Sequence, residues 1–117
     1  MTIAELAKDF TTLLKRGDDE AAAKKYNADD IVSYEAQEGP MAVSRGREAL
    51  KQKGEWWRAN HEVHGGSVEG PFVNGDQFAV RFRYDLTPKE TGKRVEMEEV
   101  GLYTVQGGKI TEERFFY

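Results

Sequence analysis

The chain has 117 residues, of which 38% are hydrophobic and 11% aromatic, enough for one small core and a single domain over residues 1–117. A net charge of −4 disfavours nucleic acid and anionic membranes as partners, and the lack of cysteine excludes disulfides, thiol catalysis and thiolate metal sites. The opening MTIAELAKDF carries Glu5, Lys8 and Asp9 where a signal peptide needs an apolar core, and no segment is long and apolar enough to span a bilayer. A cytoplasmic location is the expectation.

Ile3, Leu6, Ala7, Phe10, Leu13 and Leu14 recur at helical spacing, and Thr2 with Glu5 is placed to form a capping box. Gly17 can close that helix in the left-handed region, and Asp18 can cap a second helix containing Ala21, Ala22, Ala23 and Tyr26. A first strand is predicted over residues 31–35, ending on the carboxylate of Glu35 before the Gly39-Pro40 turn. Ser44 is a candidate cap for a third helix through REALKQKGEWWRAN. Trp56 and Trp57 are adjacent there, about 100° apart around the axis, so they face different points.

From residue 61 the period changes to two. The spacing predicts strands over 61–69, 77–86, 94–105 and 110–117, with a bulge or strong bend at Gly65-Gly66 and tight turns at VNGD and QGGK. These elements imply an α+β domain with helices against one face of a curved, mostly antiparallel sheet. The closing RFFY puts aromatic side chains on both faces of the last strand, which predicts a covering partner subunit and hence a homodimer.

LLKRGDDEAAAKKYNADDIVSYEA, then RGREAL, then EEVGLYTVQGGKITEERFFY together resemble the SnoaL-like branch of the nuclear transport factor 2-like superfamily, distantly similar to ketosteroid isomerase. The resemblance covers nearly the whole chain. It implies a cone of the cystatin-like kind, with three N-terminal helices on the curved sheet, a pocket between helices and sheet, and pairing through the outer sheet face. It also implies that Glu35 stands where ketosteroid isomerases hold their catalytic aspartate. Their two oxyanion-stabilising donors align with Phe10 and Val100, neither of which can donate a proton, so steroid isomerisation is not expected.

Glu35 is thus the candidate catalytic carboxylate, a general acid or base if its face looks inward and a wet strand end otherwise. Arg81 and Glu98, on neighbouring predicted strands, are candidates for a polar network across the pocket, or else an ordinary cross-strand ion pair. Trp56, Trp57, Tyr26 and Phe115 are candidate pocket walls with a core role as the alternative. His61 is a candidate pocket acid or base. His61 and His64 are spaced for opposite faces of a strand, and no metal site is expected. No phosphate loop, GxGxxG, GxSxG or HExxH is present, so no cofactor is expected. Two functions lead on these residues, with an accessory protein-interaction module, favoured by the aromatic C-terminus, as a third. One is a small-molecule pocket protein with cofactor-independent isomerase, cyclase or hydratase chemistry on a small polar or apolar organic ligand. The other is a non-catalytic ligand-binding or structural homodimer.

Overall fold

A computed structural model describes all residues 1–117. Helix α1 (Ile3–Lys15) begins with the capping box: Thr2 Oγ1 accepts from the Glu5 amide and the Glu5 carboxylate accepts from the Thr2 amide. It ends in a Schellman turn. Gly17, at φ 77°, lets the amide of Asp18 donate to the Leu13 carbonyl and its own amide donate to that of Leu14. Helix α2 (Asp19–Tyr26) follows at once; Asp18 precedes it, but its side chain makes no capping bond.

Strand β1 (Asn27–Tyr34) pairs with a short strand β2 (Val43–Arg45), so Ser44 is buried opposite Ser33 and does not cap a helix. The turn into α3 (Arg47–Asn60) is made instead by Gly46, at φ 88°, whose amide donates to the Ile31 carbonyl. The third helix therefore lies between strands and is not N-terminal with the other two. Strands β3 (His61–Asn74), β4 (Gln77–Pro88), β5 (Val95–Gln106) and β6 (Lys109–Phe116) complete a six-stranded sheet in the order β2-β1-β6-β5-β4-β3.

The sheet is mixed: β6 returns along β1 in parallel, while every other pair is antiparallel. It is not strongly curved. Of the bulge or strong bend expected at Gly65-Gly66, the structure has the bulge, just before them at His64: one extra residue between Val63 and Gly65 is absorbed by a register shift against β4, and β3 runs on through both glycines.

Alternation decides the faces. On β4, Phe78, Val80, Phe82 and Leu86 are buried under the helices, while Arg81 and Arg83 point the other way. Helix α1 lays Leu6, Ala7 and Phe10 onto that inner face. Phe10, Phe78 and Tyr103 meet there with ring centroids 5.0–5.8 Å apart. Each such buried aromatic contributes about 1.5–3 kcal/mol by removal from water. Helix α3 behaves differently. It packs on β1 and β2 at one flank of the sheet and on β3 at the other, and none of its residues is fully buried. It bridges the two flanks over the middle strands, and Lys53, Trp57, Tyr84, Glu99, Glu113 and Phe115, all only partly buried, mark the cleft between helix and sheet.

Candidate functional site

The cleft is floored by the inner face of β4, β5 and β6. Register fixes its members: Phe82 pairs with Glu99, Tyr84 with Met97, Tyr103 with Glu113, and Ser33 with Glu113 across the parallel join. Glu99, Gly101 and Tyr103 on β5 therefore share a face with Glu113 and Phe115 on β6 and with Ser33 on β1.

Glu35 lies just past β1, its amide donating to the Ala42 carbonyl. Both of its carboxylate oxygens are engaged. Lys53 descends from the middle of α3 and places Nζ 2.7 Å from Glu35 Oε1 and 2.5 Å from Ser33 Oγ. The Tyr117 hydroxyl donates to Glu35 Oε2 at 3.0 Å. Burial and the Glu35 charge push the Tyr117 phenol up. Lys53 Nζ also stands 5.2 Å from the centroid of Phe115. The ion pair is largely covered, with about a fifth or less of either side chain exposed.

Two further carboxyls face the cleft without a cation of their own. Burial, with the Glu35 and Glu113 charges adding and Lys53 opposing, pushes Glu99 up to about 7. Burial likewise raises Glu113, with Lys53 and the Ser33 hydroxyl opposing and Glu35 adding. The Tyr103 ring is 3% exposed, and burial raises its phenol well above the ordinary value. That ring lies along its own strand over Gly101: a Cβ at residue 101 would come within 2.9 Å of the Tyr103 hydroxyl and 3.1 Å of Phe115. Only glycine leaves that room.

The candidates named from sequence separate into three groups. Glu35, Phe115 and Trp57 border the cleft; Trp57 lies 5.3 Å from Tyr84, centroid to centroid, and 4.6 Å from His61 in a stacked arrangement. Arg81 and Glu98, expected across the pocket, lie on the outer sheet face, where they pair with each other and Arg83 Nε sits 3.4 Å from Glu98. The reason is register: Glu99, one residue on, is the member of β5 opposite the buried Phe82. Tyr26, Trp56 and His61 make other contacts. Tyr26 is buried beneath α1 with its hydroxyl donating to Asp9. Trp56 is half exposed. His61 Nδ1 donates to the Trp57 carbonyl at 2.7 Å, tying the end of α3 to β3, and the His64 ring bonds Thr87 at the edge.

Sequence reasoning missed Lys53, Glu99, Glu113 and Tyr103 as a set. A signal existed in Gly107-Gly108, both at positive φ, which make a two-residue turn from which β5 and β6 can be counted back. The register shift between Thr104 and Val105 spoils that count.

The whole chain, residues 1–117, matches the model of the SnoaL-like domain family. Among solved structures it is similar to a Mesorhizobium loti protein described as SnoaL-like, with polyketide cyclase and carbohydrate phosphatase given as provisional activities; identity is 76%, each chain is covered over 100%, and the TM-score is 0.98. A nuclear transport factor 2-like protein from Burkholderia xenovorans aligns over 97% of this chain and 87% of its own at 25% identity and a TM-score of 0.73. A Catenulispora acidiphila protein of ketosteroid isomerase-like fold, solved with trimethylamine, shares the fold at 19% identity and a TM-score of 0.72, covering 97% of this chain and 85% of that one. Comparison with curated proteins gives no match. The chain belongs to the SnoaL-like family of the nuclear transport factor 2-like superfamily.

Proposed function

We propose that the cleft under α3 binds a small organic molecule and moves a proton on it without a cofactor, with Glu99 as the group that takes up and releases the proton. One observation carries this reading: Glu99 faces the cleft without a hydrogen-bonded partner, and burial pushes its carboxyl up to about 7, where both protonation states are populated in neutral solution. Glu35, first choice on sequence grounds, is already held on one oxygen by Lys53 and on the other by Tyr117. Its role in this proposal is to position Lys53 and to raise Glu99 by its charge. The reactions this suits are isomerisation, cyclisation or hydration at a carbon next to a carbonyl. The alternative is a binding module that uses the same cleft without turnover.

The test is deuterium exchange. A panel of enolisable ketones and amino ketones is incubated in D2O with wild type and E99Q, and loss of the α-proton signals is followed by NMR. Faster exchange with wild type, rising with pH through about 7 and absent in E99Q, supports the reading. No exchange above the E99Q level on any compound leaves the binding module.

We further propose a homodimer through the outer sheet face. Val100 and Phe116 are cross-strand partners there, and Phe116 is half exposed. Sedimentation at micromolar concentration is expected to give twice the mass of the chain, and a single monomeric species ends that proposal.

A further inference from the structure

We propose that the cleft selects an organic amine in its ammonium form, held between the Glu99 and Glu113 carboxyls and the aromatic faces of Trp57, Tyr84 and Phe115. The inference rests on the cleft being a ligand site, as proposed above, and goes beyond it in naming the charge of the ligand.

Charge on the inner face is unbalanced. Three carboxyls, Glu35, Glu99 and Glu113, meet one lysine, and Lys53 is committed to Glu35 and Ser33. Arg81, Arg83 and Arg114 of the sheet lie on the opposite face, the first two paired with Glu98 and the third over the Tyr34 ring. Asp19, on α2, adds a further acid whose charge is felt by Tyr84 and Tyr103, and the cation facing it is Arg58 of α3. An anionic ligand would enter against this field, whereas a cation would supply the charge that Glu99 and Glu113 lack.

The walls suit the same ligand. Lys53 Nζ, 5.2 Å over the Phe115 ring, already shows a cation lying on one of these faces. Tyr84 and Trp57 present two more rings 5.3 Å apart.

An independent observation comes from Tyr103. Its side chain is 3% exposed, and its hydroxyl has no partner among the hydrogen bonds of the chain. Thr11 Oγ1 is the one fully enclosed side-chain oxygen without a partner, so the unpaired Tyr103 oxygen keeps some exposure, on the inner sheet face over Gly101. Gly101 keeps it there. A phenol oxygen so placed can accept an N–H from an ammonium group that the carboxyls have drawn in.

The groups facing Glu99 are Glu35, Glu113, Lys53, Tyr84, Tyr103 and Tyr117, and all but Lys53 disfavour its ionised form or leave it unpaired. An ammonium ligand would reverse that balance and expel the Glu99 proton, so affinity rises with pH.

The experiment is NMR titration of the full chain with four probes: trimethylammonium, tetramethylammonium, tert-butanol and pivalate. Trimethylammonium is expected to shift cleft resonances and to bind roughly thirtyfold more tightly at about pH 8 than at about pH 5.5, as proton release from Glu99 requires. Tert-butanol, of the same shape without charge, and pivalate, of opposite charge, are expected to bind at least about tenfold more weakly. E99Q and E113Q should each weaken trimethylammonium binding, with E99Q also flattening the pH dependence. Y103F should weaken trimethylammonium but leave tetramethylammonium, which has no N–H, unaffected. Equal or tighter binding of tert-butanol overturns the inference, as does binding that folded E99Q and E113Q leave unchanged, or no trimethylammonium binding up to about 50 mM. The deuterium exchange assay reads a different property. Ammonium binding without exchange removes the catalytic reading alone, and exchange on neutral ketones without ammonium binding removes this inference alone.

Discussion

Lys53 Nζ lies 2.7 Å from Glu35 Oε1, a single ion pair that joins the middle of α3 to the end of β1 across the mouth of the cleft. It is the only link in which a helix side chain reaches the carboxyl group named first from sequence. Replacing it with methionine keeps the length and the apolar stem but strands Glu35 beside Ser33. K53M is expected to cost about 1–3 kcal/mol, the penalty for a covered polar group left without its partner. Because Lys53 opposes the upward shifts of both Glu99 and Glu113, the Glu99 inflection should also move above about 7 in K53M. Urea unfolding and NMR titration of the side-chain carboxyl carbons check the two effects. R81A is the control. Arg81 pairs with Glu98 on the outer face, so its loss should leave the Glu99 inflection in place and change stability by at most about 1 kcal/mol.

Stability should fall as pH rises between 4.5 and about 7 through Glu99. Its folded value, about 7, is above the ordinary 4.5, so in that window the folded state holds a proton that the unfolded chain has already released. Below 4.5 both states are protonated and the contribution is complete; above about 7 it is gone. The full swing is at most about 3 kcal/mol, and Glu113 acts in the same direction. Asp9, Asp85 and Glu98 are lowered by their cation partners and act oppositely, so the difference between wild type and E99Q isolates the site. E99Q should be the more stable protein at pH 8, by thermal and urea unfolding, with its advantage shrinking towards pH 5. An advantage of constant size across that range would contradict a titrating Glu99.

Two glycines should respond unequally to alanine. At Gly101 the new methyl meets the Tyr103 hydroxyl at 2.9 Å and the Phe115 ring at 3.1 Å, both side chains that can shift. G101A is expected to cost about 1–3 kcal/mol and to move Tyr103 out of its place in the cleft. At Gly66 the methyl would overlap the Arg83 backbone carbonyl, which the β3–β4 ladder holds fixed. G66A should therefore cost more than G101A, about 3 kcal/mol or beyond. Denaturant unfolding of the two variants gives the order, and near-ultraviolet dichroism reports the displaced tyrosine in G101A alone.

Local rules settled much of the fold from sequence. The Thr2–Glu5 capping box and the Gly17 turn bound α1, and the alternation Phe78, Val80, Phe82, Tyr84 made β4 a two-faced strand with its apolar side inward. Those signals depend on residues a few positions apart, so they survive without knowledge of the rest of the chain. Glu35 could be placed near the cleft because it directly follows the phased run of β1. The inner face of β5 could not be read that way. Glu96, Glu98, Val100 and Leu102 alternate with Met97, Glu99, Gly101 and Tyr103, and each set mixes acids with apolar residues. Only the pairing of Phe82 with Glu99, across a long polar connection, puts the second set under the helices and sends Glu98 out to Arg81. Lys53 is similar: its contact with Glu35 spans 18 residues and exists because α3 arches from one flank of the sheet to the other. Sequence therefore determined the elements and one carboxylate, while strand register and helix placement decided which charges share the cleft, since burial and Coulomb coupling act between neighbours in space.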